Sequence, residues 1–265
     1  MTDCSKKDCP NRGKLVVDAN VIRYILGGTI DIVGRAYEEK SWAERLPEVQ
    51  TLLTSHLGLI KRCSEDGHLY VSDPIWSEEL DIDRLRESAH PVKHSQGVYN
   101  KSEVGTLHEI IHGHVDVRMD VTQAEIVEFR QLMVSHGCRL DDRDASLMLV
   151  ACKLAQTESS SILISDDPDF SEPWQMLAKL NSFYLQGNTY KSDKLVLRSY
   201  AGFVTRAHDC CSCSSDGYRA LFNAWFYPLV ERQVTKMRQG GRSGLFRRVS
   251  SAVEAMEVSL QHKPK

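Results

Sequence analysis

The chain has 265 residues, 42% hydrophobic and 26% charged, the balance of a globular protein with room for one large domain, or one domain and an extension. No apolar run approaches the roughly 18 residues of a membrane span. The opening MTDCSKKDCPNRGK has no apolar signal core, so the expected location is the cytoplasm, and the eight cysteines read as thiols or metal ligands rather than disulfides. The net charge of −3 divides unevenly: residues 1–189 carry 20 Lys and Arg against 30 Asp and Glu, whereas residues 190–265 carry 13 against 6. An acidic body favours a cation site and a basic tail favours contact with a polyanion.

Short apolar runs of strand length punctuate the chain. LVV (15–17) is followed by Asp18, LYV (69–71) by Ser72, Asp73 and Pro74, and SILI (161–164) by Ser165, Asp166 and Asp167, while HVDVRM (114–119) alternates. Between them lie helical patterns. QAEIVEFRQLMVSHG places Ile126, Val127, Phe129 and Met133 over successive turns, with Gly137 as a stop, and DASLMLVACKLA places Leu147, Met148, Ala151, Leu154 and Ala155 on one face. Strands alternating with helices predict an α/β fold with a central parallel sheet. From about residue 190 the pattern weakens. KLVLRSYAGFV reads as either strand or helix, AHDCCSCSSDG as a loop, YRALFNAWFYPLVERQVTKM as a helix broken at Pro228, and LFRRVSSAVEAMEVSL as an amphipathic helix. The expected division is a polar segment 1–13, an α/β domain 14–190, and a basic, mainly helical extension 191–265.

In open parallel sheets ligands bind beyond the carboxyl ends of the strands. Acids stand at those ends: Asp18 after the first strand, Glu78 and Glu79 after the second, Asp144 at the start of a helix, Asp167 and Asp169 after the last. Gathering several carboxylates raises their pKa values by mutual repulsion. A hard divalent cation such as Mg²⁺ offsets that charge and suits oxygen ligands with an open side, an arrangement fit for phosphoryl transfer. Taken singly, each acid could equally cap a helix or line a turn.

The ordered set LVVDANV, SDPIWSEEL, GCRLDDRDASLMLVACKLA and ILISDDPDF resembles the PIN domain family of metal-dependent nucleases over about residues 14–190. The resemblance implies a three-layer domain and an Mg²⁺- or Mn²⁺-dependent endoribonuclease, of toxin, defence or RNA-processing type, that leaves 5′-phosphate and 3′-hydroxyl ends. It implies Asp18, Glu79, Asp144 and Asp167 as catalytic metal ligands, with Asp169 supporting, and Asn20, Glu78 and Ser165 around them. Glu79 is preferred to Glu78 because Leu80 follows it as in the family pattern. The implied partners are an RNA substrate, an antitoxin-like inhibitory protein and a second copy of the chain, with no membrane. A PIN scaffold that binds nucleic acid or a partner without cleaving is an alternative.

A second alternative rests on HEIIH. His108 and His112 fall one helical turn apart with Glu109 beside the first, the zinc-peptidase pattern. The extended motif fails, with Val115 in place of its glycine and Arg118 in place of its third histidine. Cys4 and Cys9, with Cys210 and Cys213, could form one structural zinc site, although neither spacing is the usual one. Cys63, Cys138 and Cys152 read as core thiols. In the tail, Lys236, Arg238, Arg242, Arg247 and Arg248 are candidates for gripping a phosphate backbone.

Overall fold

The computed structural model describes residues 12–88, 99–156 and 159–204. In chain order the elements are β1 (Gly13–Val17), α1 (Ala19–Ala36), α2 (Trp42–Cys63), β2 (Ser64–Ser72), a π-helical turn (Ile75–Glu79), α3 (Ile82–Ser88), α4 (Lys101–His114) and β3 (Val117–Met119). There follow α5 (Gln123–Ser135), α6 (Asp142–Leu154), β4 (Ser161–Ile164), a 3-10 turn (Pro168–Phe170), α7 (Ser171–Leu180), β5 (Ser182–Leu185), β6 (Asn188–Lys191) and β7 (Leu195–Arg198).

Five strands form one parallel sheet in the order β3-β2-β1-β4-β7, and β5 and β6 pair as a separate antiparallel hairpin. The two central strands are unbroken apolar runs because both of their faces are covered. Leu15, Val16 and Val17 in β1, and Ile162, Leu163 and Ile164 in β4, are buried, as expected for a parallel sheet between helices. β1 aligns with β4 residue for residue, from Lys14 opposite Ser161 to Val17 opposite Ile164, so both strands end level with each other.

The chain steps from β1 to β2 to β3 in one direction, then returns across β1 to place β4 on its other side. Right-handed crossovers therefore put α1, α2 and α4 over one face of the sheet and α5 and α6 over the other. Direction reverses between β1 and β4, and at such a switch point the two flanking loops diverge and leave a crevice. The α/β class with a parallel central sheet expected from the sequence is what the structure shows.

Two details differ from expectation. His114 closes α4 rather than opening a strand: its ring Nδ1 lies 2.9 Å from the Ile110 carbonyl, and the Val115 N–H still bonds Ile111 O at 2.8 Å. The sheet also continues past residue 190, since β7 pairs with β4, and the following helical turn buries Tyr200, Phe203 and Val204. The tail helices, the basic residues 236–248 and Cys4, Cys9, Cys210 and Cys213 lie outside the described residues. Among the described residues no helix is long and apolar enough to cross a membrane.

Candidate active site

The crevice beyond β1 and β4 is acidic. Asp18 follows β1 directly and caps α1: its Oδ1 accepts the Asn20 N–H at 3.1 Å, and its own N–H bonds Ile164 O at 3.0 Å, which ties it to the end of β4. Ser165, the residue after β4, is fully buried and donates its hydroxyl to Asp18 Oδ2 at 2.5 Å. The Ser165 hydroxyl oxygen accepts the Asp167 N–H at 3.0 Å, so one hydroxyl orients the Asp18 carboxylate and the loop that carries Asp167. Asp167 Oδ1 in turn accepts the Asp169 N–H at 2.9 Å.

α6 brings Asp144 to this group. Asp141, not Asp144, is the N-cap, and its Oδ1 accepts the Asp144 N–H at 2.8 Å. Asp144 is thereby left in the first turn with its carboxylate uncommitted to capping. The start of α6 is fixed to the sheet by two buried serines whose hydroxyl oxygens lie 2.7 Å apart, Ser72 at the end of β2 and Ser146. Ser146 already spends its proton on Arg143 O at 2.7 Å, so Ser72 is the donor between them.

Glu79 enters from the π-helical turn after β2. An i→i+5 turn re-aims its side chains relative to an α-helix, and such turns recur at functional sites; the Leu80 N–H bonds Ile75 O at 3.1 Å and closes the turn. Of the adjacent pair, Glu79 turns inward and Glu78 is exposed. Glu79 is held by two arginines, Arg23 of α1 at 3.0 Å and Arg143 of α6. Arg143 also reaches Asp141 at 3.2 Å.

Electrostatics show that these acids sense one another. Burial lifts Asp18 to about 6 against the hydrogen bonds from Ser165 and Asn20, and the Asp167 and Glu79 charges raise it further. Asp144 is lifted to about 7, by burial first and then by Asp141, Asp18, Asp167 and Asp169. Among the described residues neither Asp18 nor Asp144 forms an ion pair with a lysine or arginine. Asn20 contributes its backbone to the cap and its side chain is exposed; Asp169 is exposed at the rim.

The donor chemistry, carboxylate oxygens with unbalanced charge at an open edge, fits a hard divalent cation. Among the described residues, no three His, Cys, Asp or Glu side chains are drawn together closely enough to hold an ion as they stand; mutual repulsion favours that spacing. The residues to which sequence reasoning assigned no role are Arg23, Arg143, Ser72 and Ser146, while Asp141 reads there only as a further acid near Asp144. Only the DDRD run, with its excess of capping groups, marked any of them.

HEIIH sits elsewhere on α4. The rings of His108 and His112 stack at 3.7 Å between centroids, His112 stacks in turn on Trp76 at 3.8 Å, and Arg118 lies over Trp76 at 5.2 Å. Glu109 is exposed. Burial holds both histidines below their ordinary range, His112 at about 4. The motif therefore packs against the turn that carries Glu79. Cys63, Cys138 and Cys152 are buried, as expected of core thiols.

The chain matches no family profile, no curated protein and no solved structure.

Proposed function

We propose that the chain is a divalent-metal-dependent ribonuclease of the PIN type. One observation carries this reading: Asp18, buried, and Asp144, partly buried, sense each other and Asp167 at the switch point of the sheet and are held near neutral pKa values by burial and by neighbouring carboxylates. A protein gains nothing in stability from such a group; a cation that binds there recovers the cost. The order of the acids along the chain is the second support.

Asp18, Asp144 and Asp167 would hold the metal, with Asp169 in support and Glu79 joining on release from its arginines. Bound Mg²⁺ or Mn²⁺ supplies positive charge for the phosphate oxygens and a more acidic water. The chain's own groups do the rest. Ser165 keeps the Asp18 carboxylate in one orientation, Ser72 and Ser146 fix the first turn of α6, and Asp141 caps that turn so that Asp144 need not. Near neutral pH the carboxyls of Asp18 and Asp144 still retain part of their protons, so they gain metal affinity as pH rises through about 6 to 7.

The test is incubation of the full chain with end-labelled RNA and DNA of one sequence in Mg²⁺, Mn²⁺ or EDTA. RNA is cut with either metal, is intact in EDTA, and the new ends carry 5′-phosphate. Asp18→Asn lowers turnover by roughly 100-fold or more, while His108→Ala stays within about 2-fold. Activity that survives Asp18→Asn, or that vanishes with His108→Ala, overturns the proposal, as does the absence of any cleavage.

A further inference from the structure

Among the described residues, Arg23 and Arg143 stand inside this acidic edge and both bind Glu79, Arg143 reaching Asp141 as well at 3.2 Å. Arg23 Nη1 donates to one oxygen of Glu79 at 3.0 Å, and Arg143 Nη1 donates to the other. If their task were to neutralise the edge, Asp18 and Asp144 would be the groups to pair, because burial and repulsion press hardest on those two. Instead both guanidiniums grip Glu79, at the border of the acids. Each also reaches the surface. The Arg143 side chain is 42% exposed and that of Arg23 25%, whereas Glu79 between them is 13% exposed. Arg143 directly precedes Asp144, and Arg23 lies on the helix that Asp18 caps.

We infer that Arg23 and Arg143 form a phosphate-binding pair for a single-stranded RNA backbone, and that Glu79 occupies the pair when no strand is bound. The guanidinium fork matches phosphate oxygens as it matches a carboxylate. A backbone phosphate that displaces Glu79 satisfies the arginines and frees Glu79 toward its acidic neighbours. Strand binding and completion of the acid set are thereby one event. The inference rests on the ribonuclease reading for the chemistry next door, but its test reads binding alone.

Fluorescence anisotropy of a labelled single-stranded RNA is recorded in EDTA over a range of KCl, using the full chain and its variants. Arg23→Ala and Arg143→Ala each weaken binding by roughly 5- to 20-fold and flatten the plot of log affinity against log salt by about 0.7, the loss of one phosphate contact on a single strand. Arg143→Lys, which keeps a cation opposite Glu79 and so guards against misfolding, retains the slope and loses part of the affinity. Glu79→Gln binds more tightly than the parent chain because the pair is unloaded. Arg35→Ala, an exposed arginine at the far end of α1, changes neither quantity. Unaltered affinity and slope in folded Arg23→Ala and Arg143→Ala would show the pair to be a structural staple and sink the inference, as would unaltered affinity in Glu79→Gln. If the parent chain cuts RNA while the arginine variants bind as it does, the inference fails and the ribonuclease reading stands. If RNA binding depends on the arginines but no metal supports cleavage, the ribonuclease reading fails and the inference stands. A chain that neither binds nor cuts RNA overturns both.

Discussion

Asp144→Asn should make the metal-free protein more stable at alkaline pH and leave it unchanged in acid. The folded pKa of Asp144 is raised from 3.8 to about 7. An acid raised in this way contributes nothing adverse below about pH 4, where it is protonated in both states, and stability is lost as pH climbs through about 7. Roughly three units at 1.36 kcal/mol each bound the loss at ~4 kcal/mol by pH 8. The carboxylate is only partly buried, and water screens part of the field, so ~1–2 kcal/mol is the working figure. Against it stands the favourable placement of a negative charge in the first turn of α6, worth ~0.5 kcal/mol. The amide keeps the shape and the cap, because Asp141 does the capping. Urea denaturation in EDTA at pH 4, 6 and 8 reads the difference. At an m-value of about 3 kcal/mol/M the midpoint gains ~0.2–0.5 M at pH 8 and nothing at pH 4. Added Mg²⁺ then raises the parent midpoint and not that of the variant. A variant equal to or weaker than its parent at pH 8, or an offset independent of pH, refutes the claim that Asp144 sits partly buried among uncompensated charges.

Four further outcomes follow from the structure. Ser165→Ala removes a hydrogen bond that lowers the Asp18 pKa, so Asp18 should titrate above about 6 and the acid limb of any metal-dependent activity should shift upward in a pH–rate profile. His56 is buried and held at about 3, against an ordinary 6.5. Its neutral form favours the fold above pH 6.5, and that contribution fades as pH falls toward 3, so acid unfolding followed by circular dichroism should begin earlier for the parent chain than for a folded His56→Gln. Phe203→Ala should cost roughly 3–5 kcal/mol in chemical denaturation, and a chain cut at residue 190 should fail to fold, because β7 and the buried Tyr200 and Phe203 belong to the sheet unit.

What could be read in advance was whatever depends on neighbours in sequence. LVV and SILI announced buried parallel strands because both of their faces need apolar residues, and the acids that follow them stand at the strand ends where a site is proposed. The helices of the first crossover were harder: α1 carries Gly27 and Gly28 in its interior and the β-branched Val21 and Ile22 in its first turn, against its own propensity. HVDVRM alternated like a strand, yet His114 and Val115 complete the last turn of α4 through bonds to Ile110 and Ile111. The hairpin of β5 and β6 turns on Gln186 and Gly187, both at positive φ, and a glutamine there is no usual signal. The arginine pair had no local signature at all, since Arg23 and Arg143 meet Glu79 across 56 and 64 residues of chain. HEIIH read as a ligand pair because the spacing of two histidines says nothing of the tryptophan stacked on them.

The strand order carries a consequence for how the molecule is born. β1 is first in the chain and central in the sheet, flanked by β2 and by β4, whose pairing joins Lys14 to Ser161. During synthesis at about 5–20 residues per second, β1 waits on the order of 10–30 s for its second neighbour. So remote a partner makes closure of the sheet a late and slow event, and until then one edge of an apolar strand is open to capture by other chains. The same delay has a protective side. Asp18 leaves the ribosome early, but Ser165 and Asp167, which orient it and share its field, arrive only after β4 is made. Ser165 and Asp167 join Asp18, Glu79 and Asp144 last in chain order, so the edge proposed to cut RNA is completed only after most of the domain has emerged.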